Sequence, residues 1–132
     1  MYVDYRYYVN TYLVNRYPLI PENEFSFWEK QAERELDHVT FDRIRKNAYL
    51  VDENVMDCTC ELTEYLYKQD RFTRASEDET MGILSSYSND GESATYDVSA
   101  MKEKYSDSAK PSVIYSIVSK YLSRTGLMYR GV

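Results

Sequence analysis

The sequence predicts a mainly α-helical fold: a small bundle of about four helices, with a long loop or β-hairpin inserted between the third helix and the last. Three observations carry that expectation. Apolar and tyrosine residues recur with a helical period in four separate stretches. Capping and stop residues stand at the ends of those stretches. One region, 73–111, lacks the period and is rich in Ser, Asp, Glu, Thr and Gly. A length of 132 residues fits one domain, 1–132, and 43% hydrophobic with 15% aromatic content suffices for a packed core.

The first helix is expected over 4–14. Asp4 suits its N-cap, and Tyr5, Tyr8, Val9, Tyr12 and Leu13 fall at i, i+3, i+4, i+7 and i+8. Asn15 to Ile20 reads as a connector, because Pro18 disfavours helix at the residue before it. The second helix, 21–40, opens with Pro21 at its first position and with Glu22 and Glu24 at the positive end of the dipole. Phe25, Trp28, Ala32, Leu36 and Val39 form its apolar stripe; Glu29, Lys30, Glu33, Arg34 and Glu35 between them read as a solvated face. The basic piece Phe41-Asp42-Arg43-Ile44-Arg45-Lys46 is either one more turn or a kinked continuation.

The third helix runs 52–69 from an Asp52 cap. Val55, Cys58, Leu62, Tyr65 and Leu66 line its inner face, with Met56, Thr59 and Thr63 turned toward a second neighbour. Within 73–111, Met81 to Tyr87 and Ala94 to Val98 alternate weakly around Ser88-Asn89-Asp90-Gly91-Glu92, a turn signal. This predicts a β-hairpin over 81–98, or a long partly ordered loop of the kind that is usually functional or disordered. Ala100 to Tyr105 adds a short helical turn. The last helix, 112–124, carries a wide apolar face of Val113, Ile114, Ile117, Val118, Tyr121 and Leu122, and Gly126 suits the left-handed residue beyond its end. The apolar tail Leu127 to Val132 should fray unless something ties it down.

Little in the chain points to bond chemistry. Asp and Glu number 22 against 16 Lys and Arg, giving a net charge of −6, and a strong nucleic-acid binder needs the opposite balance. His38, the single histidine, stands beside Asp37 at a helix end and reads as a capping or surface group. Cys58 and Cys60 project roughly 200° apart on a helix, a poor disulfide or chelate pair, and read as one buried thiol and one partly exposed. Glu77-Asp78-Glu79 lacks the spacing and glycine of a calcium loop. No serine sits in a nucleophile elbow. No catalytic, cofactor-binding or metal-ligating residue is therefore assigned, and the expectation is a non-enzyme. The opening residues do not resemble a signal peptide, and no apolar run nears the ~20 residues of a membrane span, so a cytoplasmic compartment without membrane contact is expected.

Tyrosine is the unusual residue, with 15 copies. Its ring is apolar and its tip polar, which suits surfaces buried only in part or only on assembly. Tyr5, Tyr8, Tyr12, Tyr65 and Tyr121 belong to helical stripes and are assigned to the bundle. Tyr2, Tyr7, Tyr87, Tyr96 and Tyr129 stand off the stripes and are assigned, with Tyr17, to subunit contacts. Arg43, Arg45 and Lys46 form the compact basic patch.

Three stretches resemble a known family. Tyr2-Val3-Asp4-Tyr5-Arg6-Tyr7-Tyr8 followed by Ile20-Pro21-Glu22-Asn23-Glu24-Phe25 is similar to the opening of small head–tail connector proteins of tailed phages and prophages, where a Tyr-rich first helix leads to an Ile-Pro-Glu-Glu-Glu-Phe-like start of the second. Val39-Thr40-Phe41-Asp42-Arg43-Ile44 resembles that family's Leu-Thr-Phe-Gly-Arg-Ile element, with Asp42 in place of glycine, which leaves the turn there open. Tyr121-Leu122-Ser123-Arg124-Thr125-Gly126-Leu127-Met128-Tyr129-Arg130-Gly131-Val132 resembles its ending.

The resemblance implies a structural protein that forms a ring below the portal of a DNA-filled head. Its partners would be copies of itself, the portal protein and tail-side connector proteins, with DNA only as passing cargo. Its places would be the head–tail junction of the virion and, during assembly, the host cytoplasm. Composition is consistent, since an acidic lumen repels phosphate. A ring needs two different patches per subunit; the candidates are Tyr2, Tyr7, Tyr87, Tyr96, Arg43, Arg45, Leu127, Met128, Tyr129 and Arg130. Deleting 126–132 is expected to leave the fold and abolish assembly. A different class of function stays open: a cytoplasmic helical interaction or regulatory module, antitoxin-like, that binds one partner protein. A portal or capsid gene nearby would favour the connector.

Overall fold

In the computed structural model, which describes residues 1–77 and 102–128, every regular element is helical. The predicted hairpin over 81–98, with Tyr87 and Tyr96, and the tail residues Tyr129 and Arg130 lie outside the described residues.

Asp4 caps the first helix as expected, its carboxylate accepting from the Tyr7 N–H at 2.8 Å. The helix is shorter than predicted. α1 is a single α-turn, Tyr5–Tyr7, that widens into a π-helical segment, Tyr8–Tyr12, closed by the Leu13 N–H reaching back five residues to the Tyr8 carbonyl at 2.9 Å. Val14 and Asn15 follow with φ of 52° and 63°, a left-handed backbone that stops the helix. The widened turn sets the Tyr8 and Tyr12 rings nearly parallel, 6.2 Å apart.

α2 spans Glu22–Val39, with Pro21 as its extended N-cap rather than its first helical residue. The Pro21 carbonyl accepts from Glu24 and Phe25, at 3.0 and 3.1 Å. The face it buries is Phe25, Glu29, Ala32 and Leu36, steps of four, three and four; Trp28 and Val39 are only half-buried. Glu29 therefore belongs to the inner face and not to the solvated one assigned to it. The chain then turns a corner. Phe41 and Asp42 adopt φ of 56° and 61°, and the Asp42 N–H bonds to the Asp37 carbonyl at 2.8 Å. The short α3, Arg43–Lys46, follows and buries Ile44. A tight turn thus exists at the site of the glycine-to-aspartate difference, and the basic piece is a separate element.

A 3₁₀ turn, Ala48–Leu50, leads to α4, Glu53–Glu77. The Asp52 carboxylate accepts from the Val55 N–H at 3.0 Å, in keeping with its predicted capping role. α4 extends eight residues past the predicted end, because 70–77 contain no helix breaker. Cys58, Thr59, Cys60, Leu62 and Thr63 are all buried, so α4 is covered on more than one side and both thiols are interior, against the expectation of one partly exposed. The buried hydroxyls of Thr59 and Thr63 donate to the carbonyls four residues back, at 2.8 and 2.6 Å. α5, Lys110–Leu122, begins two residues before the predicted start and ends at a turn in which Gly126 has φ 81°.

The chain divides into two compact units, Met1–Leu66 with Ile114–Val132, and Tyr67–Val113. The first is a small helical bundle. Its core holds Val3, Tyr8, Ile20, Phe25, Leu36, Ile44, Val55, Leu62, Val118 and Leu122, each buried side chain contributing roughly 1.5–3 kcal/mol. The Phe25 ring stacks on Tyr8 at 4.9 Å and meets Tyr5 edge-on at 5.4 Å. In the second unit the Gln69 amide nitrogen faces Thr73, the Tyr105 carbonyl and Asp107, at 3.0–3.3 Å, and so holds 102–109 against the end of α4. Phe72 and Tyr105 pack beside it. No helix among the described residues is long and apolar enough to cross a membrane.

Candidate functional site

The tyrosines and the carboxylates find each other. On α2, Glu29, Glu33 and Asp37 recur every fourth residue and therefore share one face. That face holds the first three residues of the chain. Glu29 Oε2 accepts from the backbone N–H groups of Tyr2 and Val3, at 3.0 and 3.2 Å, and Glu33 Oε2 accepts from the same Tyr2 N–H at 2.8 Å. The Tyr2 hydroxyl donates to Asp37. Burial pushes the Tyr2 hydroxyl well above its ordinary range and the Asp37 bond pushes it further, so the proton stays on tyrosine.

On α4, Asp57, Glu61 and Glu64 do the same for other tyrosines. Tyr7 donates to Asp57 at 2.9 Å and Tyr8 to Glu64 at 2.8 Å. Glu61 takes the Tyr121 hydroxyl at 2.7 Å and the Lys120 ammonium at 2.6 Å. Each of these phenols is raised above its usual range, first by burial and then by its carboxylate. Tyr12 is raised by burial and by Glu64, with a hydroxyl bond to Tyr121 acting the other way. Tyr5 donates to the Ile20 carbonyl at 2.9 Å. The wealth of tyrosine and the excess of acid thus have one partly shared explanation: O–H donors on the first eight residues and α5 dock on carboxylates of α2 and α4.

Of the residues assigned to subunit contacts, Tyr2, Tyr7, Arg43, Arg45, Leu127 and Met128 are among the described residues. Tyr2 and Tyr7 are bonded within the chain, so their hydroxyls are not waiting for a neighbour. Arg43 Nη1 donates to the carbonyls of Gly126 and Leu127, at 2.9 and 3.2 Å, and its guanidinium lies over the Phe41 ring at 5.4 Å. Leu127 is 9% exposed and Met128 half-buried, so the start of the tail is held by its own chain. Arg45 is exposed and faces the Tyr2–Asp37 pair electrostatically. Among the described tyrosines, Tyr49 and Tyr17 are the open ones, at 99% and 95%, followed by Tyr115; Phe27 is also exposed. Tyr17 was expected there; Tyr49, Tyr115 and Phe27 were not.

The acidic ladder itself was missed, and the signal for it lay in the apolar stripe. A strict i, i+4, i+7, i+11 count from Phe25 passes through Glu29, Ala32 and Leu36, and a charged residue on such a stripe needs partners inside.

The Cys58 thiol is pushed up to about 12, first by burial and then by Glu61, and Cys60 is raised further, again first by burial. His38 is exposed. Among the described residues no group of three or more His, Cys, Asp or Glu is placed to hold a metal ion. An open groove of about 710 Å³ runs along Tyr115, Ser119, Lys120, Arg124 and Thr125. Protein-family models, curated proteins and solved structures give no match to the chain.

Proposed function

We propose that this chain is a structural connector of a tailed phage or prophage particle, assembled as a ring between the portal and the next tail component and open to passing DNA. The observation that carries the reading is that pieces bearing the resemblance, distant in sequence, meet in pairs. Tyr5 of the opening stretch bonds the Ile20 carbonyl and packs its ring on Phe25, both in the second half of that motif. Arg43 of the Phe-Asp-Arg-Ile element grips Gly126 and Leu127 of the ending, 83 and 84 residues away. Residues similar to one family in three separate places, one folded on itself through Tyr5 and the other two joined by Arg43, support a common architecture. Asp42 adds to this, since its φ of 61° is the conformation that glycine takes most freely.

The exposed aromatics supply surface for assembly. Tyr17, Tyr49, Tyr115 and Phe27 lie on different elements, as two unlike faces of a ring subunit would require. The protein's places are then the head–tail junction and the host cytoplasm before assembly. Incubation of the protein with portal-bearing, DNA-filled heads and sedimentation of the heads tests this. The protein should sediment with portal-bearing heads and stay in the supernatant with heads lacking a portal. Equal recovery in both, or none in either, would count against the connector.

A further inference from the structure

We infer that Glu29 and Glu33 form a proton-held latch that docks the first three residues on α2 and releases them when the shared proton is lost. The geometry is unusual for two carboxyl groups. One main-chain donor, the Tyr2 N–H, lies within hydrogen-bond reach of both, at 3.0 Å from Glu29 and 2.8 Å from Glu33. Two oxygens that share one donor are close neighbours, and two full negative charges so placed repel strongly out of water. Glu29 is 1% exposed, and the Val3 side chain beside it is equally buried.

The surrounding charges do not remove the conflict. On α2 itself stand Glu33 and Asp37; from α4, Cys60 senses Glu29. From the first residues come the Tyr2 hydroxyl, already given to Asp37, and the Met1 ammonium, which pairs with Glu33 at 3.7 Å. Arg45 of α3 acts on Tyr2 and Asp37. The Tyr2 and Val3 amides favour the Glu29 anion. Burial, and then Glu33, oppose them more strongly and lift the Glu29 carboxyl to about 8.

The sign follows from that direction. A carboxyl raised on docking binds its proton more tightly docked than free, so docking is favoured in acid and weakens as pH rises from the ordinary carboxyl range to about 8. Above that range the site must hold an extra buried charge or let go of residues 1–3. Release would uncover Val3 and free both carboxylates to water.

The test uses the full chain labelled with ¹³C at the Glu carboxyls and Val methyls, followed by NMR across the pH range. The Glu29 carboxyl should titrate near pH 8, and the Val3 methyls should move toward random-coil positions over the same interval. Glu29→Gln should keep the Val3 methyls docked throughout. If that variant does not fold, the half-buried Glu33→Gln serves: without its neighbour, the Glu29 midpoint should fall by about one pH unit or more. A Glu29 midpoint between 4 and 5, or Val3 methyls that ignore the titration, would overturn the latch. So would release in Glu29→Gln with the wild-type midpoint, or a midpoint unmoved in Glu33→Gln.

Discussion

Removing one oxygen atom from Tyr8 tests whether tyrosine–carboxylate pairs hold this bundle. The Tyr8 ring is fully buried, stacked on Phe25 at 4.9 Å, and its hydroxyl donates to Glu64 at 2.8 Å. Tyr8→Phe keeps the ring and its packing, so no large cavity opens. What goes is the hydroxyl with its bond to Glu64, which contributes roughly 1.5–3 kcal/mol when both partners are dry, and its weaker bonds with the Ile20 and Leu19 backbone. Glu64 is half-buried and water can replace part of the loss, so the expected cost is about 1–2 kcal/mol. Tyr8→Ala would add the lost ring and its cavity, for a total of about 3–5 kcal/mol. Urea unfolding followed by circular dichroism at pH 7 measures these differences, with an unchanged slope expected for Tyr8→Phe. A double-mutant cycle with Glu64→Gln isolates the pair and should return a coupling of about 1 kcal/mol. A Tyr8→Phe protein within about 0.3 kcal/mol of wild type, or a coupling indistinguishable from zero, would refute the claim that the hydroxyl holds α1 to α4.

Other positions give equally direct readouts. Asp42→Gly should be neutral or stabilising by up to about 1 kcal/mol, and Asp42→Val destabilising by about 1–3 kcal/mol, because a branched residue resists the left-handed corner; thermal unfolding checks both. Arg43→Ala should lose the Gly126 and Leu127 carbonyl bonds, destabilise by about 1 kcal/mol and speed hydrogen exchange around Leu127. Cys58 and Cys60, buried and raised in pKa, should react with a thiol reagent at neutral pH only as the protein unfolds, so native labelling faster than unfolding would contradict their burial. Tyr49→Ser should leave stability within about 0.5 kcal/mol of wild type, since the side chain is 99% exposed, while reducing recovery with portal-bearing heads.

The helical class was legible because periodicity and caps agree. Asp4, Asp52 and Gly126 occupy the roles their residue types suggest. The boundaries were less legible where backbone geometry departs from the common pattern. Nothing in Tyr8–Tyr12 announces a π-turn, and Val14 is a poor advertisement for a left-handed residue. Phe41 and Asp42 hide a corner that a glycine would have declared. The candidate site is the hardest to read, because charge on a helix ordinarily marks its solvent face. Glu29, Glu33, Asp37, Asp57 and Glu64 all serve donors supplied from residues 1–8, a pairing across 26 to 56 positions that local pattern does not contain. Tyr2 and Tyr7 stand off the helical stripes, so local pattern gives no sign of their partners Asp37 and Asp57. The tail was read as needing an anchor, and Arg43 supplies one for Gly126 and Leu127. A deletion meant to spare the fold should therefore begin at 129, since a cut at 126 removes the buried Leu127.

Electron microscopy of portal-bearing heads, with and without the added protein, tests the proposed function most directly. The connector reading predicts a ring of new density on the outer face of the portal, with rotational symmetry and an open central channel. Portal vertices that look the same with and without the protein, or density scattered over the capsid surface, would contradict it.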